Sequence, residues 1–423
     1  MRRRLLLAVS LVTLAAAGGA LATRDATSFR FEVLAQANPP GGGYSGDVVL
    51  HRRHAYLSSH RGEKSCPATG VRVYDLSSPR APKHVSTFGR VARTWTEKTI
   101  VRPVATASFT GDLAVTSIQG CTSRAPRGFA LYDVTRPGRP RELARVHTDP
   151  RGSHEIWLQP VGRRAYVYTA IIASEIRSSP DGQTPGKPDF RIFDVTNPRR
   201  PVEVGGWGAW KELGLRPFAN PNDRLRGNLV HSVVGDGGRA YLSYWDLGTV
   251  VLDVSDPSAP RYLGRTRGAT DNAHSAWLGR RGLLVETHER TGGIPTFYRR
   301  TGGDPVLLGR FELPPSVISE GHRVRGLHPV QGLDLADSVH DAKLQGDLAL
   351  FSWYSQGVVV ADVSDASRPR LLARFLPRAA KDPEELLCPG RRCVAIWGVD
   401  VEGDLVVASD MLGGLWVLRL RRA

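Results

Sequence analysis

The sequence predicts an all-β chain, a seven-bladed β-propeller closed by its own N-terminal strand. Three features predict it. A strand-plus-turn sentence recurs five times, the spacing of its marker aspartate leaves room for degenerate copies, and the two chain ends carry complementary parts of one unit. The sentence is clearest at residues 250–260, V-V-L-D-V-S-D-P-S-A-P. Its first half is an apolar, β-branched run, the pattern of a buried strand. Ser255 and Asp256 then offer acceptors to the local backbone, while Pro257 and Pro260 fix φ and remove donors, so the strand must stop.

The same sentence stands at residues 71–82, 129–140, 190–201 and 358–369. Its marker residues Asp75, Asp133, Asp194, Asp253 and Asp362 are 58, 61, 59 and 109 residues apart. The last gap is about twice the others and predicts one degenerate copy, for which residues 296–306 fit, the Asp lost and the Pro kept. A half copy at residues 414–419 makes seven units. Repeats of this length, with several short strands each, indicate a propeller or a solenoid.

Each full unit parses into four strands, A to D. In the fourth these are residues 231–234, 240–245, 250–254 and 261–265, with Gly-rich turns such as 235–238 joining A to B. The last unit supplies three strands, at 394–401, 404–409 and 414–420, and then the chain stops. Residues 28–35 read as a strand D with no strand C before it. The N-terminal segment is therefore expected to complete the seventh blade, which removes the open edge of the array. Three insertions, at 171–189, 207–228 and 314–337, fall in B–C or D–A connections, which share one face of a propeller. Long loops on a rigid scaffold are where function concentrates, whereas the Pro-rich C–D turns of the other face read as structural.

The chain has 423 residues, 41% hydrophobic and 23% charged, an ordinary globular composition. Residues 1–22 combine Arg2, Arg3 and Arg4 with an apolar run from Leu5 to Ala17 and the small-x-small site Ala20-Leu21-Ala22. That is a secretory signal, and the three arginines also permit the twin-arginine route. The run is short for a membrane span, though an uncleaved signal would anchor the chain. The mature domain is then residues 28–423, placed in the periplasm, outside the cell or on its surface. The net charge of +16 is carried mostly by arginine scattered through every repeat, which reads as solvated blade edges; it also suits an anionic cell-surface polymer or lipid, and nucleic acid is not expected as a partner. Cys66 and Cys121 occupy matching places in the first two repeats and are expected to pair. Cys388 and Cys393 flank a four-residue turn and form the second expected pair.

Aligned on strand A, four successive units carry histidine at one position: His154, His231, His274 and His340. The other units have Trp397, about Ala105, and about Gly46 there. Strand A is innermost, so the position rings the channel mouth on the long-loop face. Two readings of this arc stand side by side. The imidazoles bond to the neighbouring blade's backbone as parts of the module, or they converge on one transition metal ion (Cu, Zn, Fe or Ni), with Glu155 and Asp341 orienting rings from outside. Tyr244-Trp245-Asp246, residues 286–289, Trp353-Tyr354 and Asp410 gather on the same face at the ends of strand B. No nucleophile elbow, phosphate-binding glycine loop or H-E-x-x-H run is present.

The repeated V-x-[LVY]-D-V-S-x-P-x-x-P sentence resembles the LVIVD repeat of exported bacterial and archaeal propeller-like proteins. The resemblance covers nearly the whole mature chain, strongly in five of seven units, and departs at Tyr298-Arg299 and at Arg419. It implies a β-propeller outside the cytoplasm and implies no reaction. More distantly, the histidine arc is similar in idea to the selenium-binding (methanethiol oxidase) propellers, which the resemblance associates with copper; no motif of theirs matches residue by residue, and no role is carried over. The expectation is a binding or scaffold module whose long-loop face meets a protein or small-molecule ligand. The alternative is a metalloprotein, a copper oxidoreductase for example, built on His154, His231, His274 and His340.

Overall fold

Each copy of the repeated sentence forms strand C of an antiparallel blade, and seven such blades, among the described residues six of four strands and the second of five, make the ring. The computed structural model describes residues 29–423 except 40–42, 62–65, 67, 219–226, 269–271, 291, 319–337 and 386. The export signal expected at residues 1–22, like Ser28, lies outside the described residues. In the fourth blade the strands are Ser232–Asp236, Arg239–Ser243, Thr249–Asp253 and Arg261–Arg265. The third strand, T-V-V-L-D, is buried up to its aspartate because it is sandwiched between flanking blades, which explains why both of its faces are apolar. The degenerate fifth copy still folds as Thr296–Arg299 followed by Val306–Arg310. Strand apolarity is sufficient there, without the marker aspartate.

That aspartate shapes the turn after the strand. Asp75, Asp133, Asp194, Asp253 and Asp362 each accept the backbone N–H two residues on, from Ser77, Thr135, Thr196, Ser255 and Ser364. In three blades the second carboxylate oxygen holds the arginine that opens strand D, as in Arg141–Asp133 at 3.1 Å, Arg261–Asp253 at 2.5 Å and Arg370–Asp362 at 2.6 Å. A short acceptor that turns back on its own backbone is the physical content of the motif.

The ring closes as the chain ends predict. Phe29–Ala37 runs antiparallel to Gly414–Arg422, from Phe29 opposite Arg422 to Ala37 opposite Leu415, completing the blade of Ile396–Glu402 and Leu405–Asp410. Between blades the core is built of Val, Leu and aromatic side chains, with edge-on contacts such as Phe129–Phe193 at 5.0 Å carrying it from one sheet to the next. Cys66 is bonded to Cys121, tying blades one and two, and Cys388 to Cys393, each with Cα atoms 6.2 Å apart. No helix among the described residues is long and apolar enough to cross a membrane.

The insertions at 171–189 and 207–228 each add a short helix, Ser174–Arg177 and Ala209–Leu213. They are stitched by buried acids. Glu175 accepts the N–H groups of Trp210 and Lys211, and Asp189 accepts the N–H of Glu175 and the Tyr244 hydroxyl. Most of the insertion at 314–337 lies outside the described residues.

Candidate functional site

The innermost strands begin at the mouth of the central channel, and the residue just before or at each start faces its axis. In blades three, four and six the His154, His231 and His340 N–H groups bond strand B carbonyls at Ala170, Ser243 and Ser352, which fixes a common register. Their rings therefore stand in a row. Ring centroids are 4.4 Å apart for His154–His231, 4.1 Å for His231–His274, 4.4 Å for His274–His340 and 3.9 Å for His340–Trp397. The row continues through His60, 5.0 Å from Trp397, and Trp95, 4.4 Å from His60 and 6.4 Å from His154. Seven aromatic rings, one from each blade, thus encircle the mouth.

His60 and Trp95 were not visible in the strand A alignment because neither sits on strand A. His60 ends a second strand, and Trp95 lies on a two-residue strand paired with Gln119. The second blade also needs a correction. Its strand A is Thr99–Ala105, so Ala105 lies at the far end, and Glu97 lies at the histidine level. The T-E-K-T run around Glu97 was the available signal, obscured by the extra strand before it.

Polar contacts organise the rings. His274 Nδ1 meets the His340 carbonyl and His340 Nδ1 meets the Trp397 carbonyl, both at 2.7 Å. His231 Nδ1, by contrast, is buried with no hydrogen-bond partner among the described residues. His154 Nδ1 lies 2.9 Å from the Glu97 carboxylate and 3.1 Å from Gln119 Oε1, while Gln119 donates to Glu97. In His154, His274 and His340 the Nδ1 side is thus held by acceptors, which turns Nε2 of each toward the interior. His154 Nε2 is 2.9 Å from His231 Nε2, and His340 Nε2 is buried with no hydrogen-bond partner among the described residues. The compact ligand set is His231, His274 and Glu289, whose donor atoms all lie within 4.8 Å of one another. Glu289 comes from the end of strand B, lies 3.4 Å from His274 Nε2, and accepts the Tyr354 hydroxyl.

Electrostatics keep two rings of this arc neutral. Burial, and then the adjacent imidazoles, push His231 and His340 well below the ordinary histidine range. His154 differs: burial opposes its charge, but the Glu97 carboxylate outweighs burial and raises it. Glu97 is correspondingly held far below the usual range against the cost of its own burial.

One residue further along strand A lies a second layer. Glu155 and Asp341, expected as orienting groups for the imidazoles, grip Lys98 instead, together with Asp47, at 3.2, 3.4 and 2.8 Å. Lys343 also binds Asp341, at 2.6 Å. Burial works against the Lys98 charge, yet its three carboxylates raise it well above normal. Burial lifts Glu155 to about 7 despite Lys98, since three carboxylates share that ammonium.

The LVIVD repeat family model matches residues 230–267, which hold the whole fourth blade. One blade of this propeller is thus an LVIVD repeat. No curated protein matches this chain. Among solved structures, the chain is similar to virginiamycin B lyase from Staphylococcus aureus, at TM-score 0.54 and 11% identity over 92% of this chain and 99% of that one. U3-55K is similar at TM-score 0.53 and 11% identity, over 92% and 98%, and the computationally designed Ika8 protein at 0.50 and 9%, over 92% and 99%. At such identities the likeness is one of fold.

Proposed function

We propose that this propeller is an extracytoplasmic binding module that holds one late first-row transition ion, copper or zinc, at its channel mouth. His231, His274 and Glu289 are the proposed ligands, with His154 adjoining them and His340 next in the row. The observation that carries this reading is the cluster of His231, His274 and Glu289, whose donor atoms all lie within 4.8 Å of one another. Neutral imidazole with carboxylate is a donor set that suits zinc or copper. The module reading of the histidines is compatible with this: the Nδ1 bonds to the next blade are what would hold the rings in place. Two disulfides support an oxidising compartment, where such ions are not competed for by a thiol pool.

Metal content by mass spectrometry on protein purified from the exported fraction tests the reading, beside a His231→Ala, His274→Ala double variant. About one equivalent of copper or zinc, lost in a variant that keeps its circular dichroism, is the expected result. Metal-free protein that takes up neither ion on dialysis would overturn it and leave the histidines as blade-to-blade ties.

A further inference from the structure

Beside the ring lies a cavity of about 630 Å³ that the metal reading does not use. It sits on the long-loop face between the first three blades, and its wall carries four arginines, Arg61, Arg127, Arg151 and Arg177. They come from four separate segments: the end of a second strand, two inter-strand loops, and the helix Ser174–Arg177 of the first insertion. No aspartate or glutamate lines it among the described residues. Arg127 is held in place by carbonyls, donating through its two terminal nitrogens to Pro150, at 2.7 Å, and to Ser123. The floor is shared with the ring. Trp95 and Gln119 line the cavity, and the same Trp95 packs on His60 while the same Gln119 bonds His154 and Glu97.

We propose that this cavity binds a small organic anion, one bearing a carboxylate, sulfonate or phosphate group. Arginines lining one concave surface make it strongly cationic, and guanidinium groups suit planar and tetrahedral oxyanions. The volume is in the range of small-molecule sites and exceeds what an inorganic anion fills, so an organic body belongs in it, against Trp95 and Pro150. Anion recognition stands on the arginines alone. Only its purpose, to bring a ligand up to the ion at the mouth, rests on the metal reading.

The test is isothermal titration of metal-free protein with phenyl phosphate and benzoate, with inorganic phosphate and the neutral benzamide as comparisons. The expected result is saturable binding of at least one aromatic anion, weakened by raised salt, little or none of benzamide, and weaker binding of inorganic phosphate. An Arg61→Gln, Arg151→Gln double variant is expected to lose about tenfold or more in affinity. Equal binding of benzamide, or no binding of either aromatic anion, would overturn the proposal. So would unchanged affinity in a folded double variant; if that variant fails to fold, the neutral comparison and the salt dependence in the parent protein decide. Binding that persists in the His231→Ala, His274→Ala protein would sustain the cavity even where the metal reading fails, and metal without anion binding would do the reverse.

Discussion

Lys98 is the residue on which the channel's electrostatics turn. It is almost fully buried, it draws carboxylates from the first, third and sixth blades to one point, and nothing in a hydrophobicity pattern announces it. Its partners Glu155 and Asp341 were legible as charged neighbours of the histidines. Which way they point was not, because a strand alternates faces and a one-residue offset separates the axis from the wall. Removing the ammonium leaves the buried Asp47 and Glu155 without their counter-ion and Asp341 with Lys343 alone, which costs far more than a surface pair. Lys98→Met is therefore expected to lose ~3–5 kcal/mol in chemical denaturation, and a loss within the error of the measurement would show the cluster to be hydrated and inert. A contrast comes from the exposed turn at Asp253: Asp253→Ala removes one turn-closing bond and one rim ion pair, with an expected loss of about 1 kcal/mol by the same measurement.

At the scale of elements, the strand-plus-turn sentence was readable because each letter has a physical job: an apolar strand between blades, an acceptor to turn the chain, a proline to end it. The insertions were readable only as insertions. Their two helices depend on tertiary partners, the buried Glu175 and Asp189, that no local propensity supplies. Burial, with Glu175 alongside, raises Asp189 to about 7. A raised carboxyl keeps its proton in the folded state after the unfolded chain has released it, so its contribution to stability is present at low pH. That contribution is lost as pH climbs from about 4 to about 7, on the order of 2–4 kcal/mol at ~1.4 per unit. Asp189→Asn keeps the acceptor for the Glu175 N–H and does not titrate. Thermal denaturation from pH 4.5 to 8 is expected to show a flatter profile in the variant; parallel profiles would mean that Asp189 is ionised throughout.

For the whole molecule, closure was the most legible feature, since an unfinished last unit and an unmatched first strand admit one simple solution. The site was less so: the histidine row could be aligned, but its completion by His60, Trp95 and Glu97 depends on strand ends and an added two-residue strand that break the repeat. Deleting residues 29–37 should expose the edge of Gly414–Arg422, and loss of monomer in size-exclusion chromatography together with a lowered melting temperature is the expected outcome. Reducing the disulfides should also cost stability, by up to about 4 kcal/mol for the 55-residue Cys66–Cys121 loop in the chain-entropy account. The encircling ring has one more consequence, an optical one. Trp397, Trp95 and Trp245 stand 3.9 Å, 6.4 Å and 5.2 Å from His340, His154 and His231. An open-shell ion seated among those imidazoles would drain the excited state of these indoles, while a closed-shell ion would leave it largely intact. The protein's own ultraviolet emission should then distinguish copper(II) from zinc at the mouth, without any label.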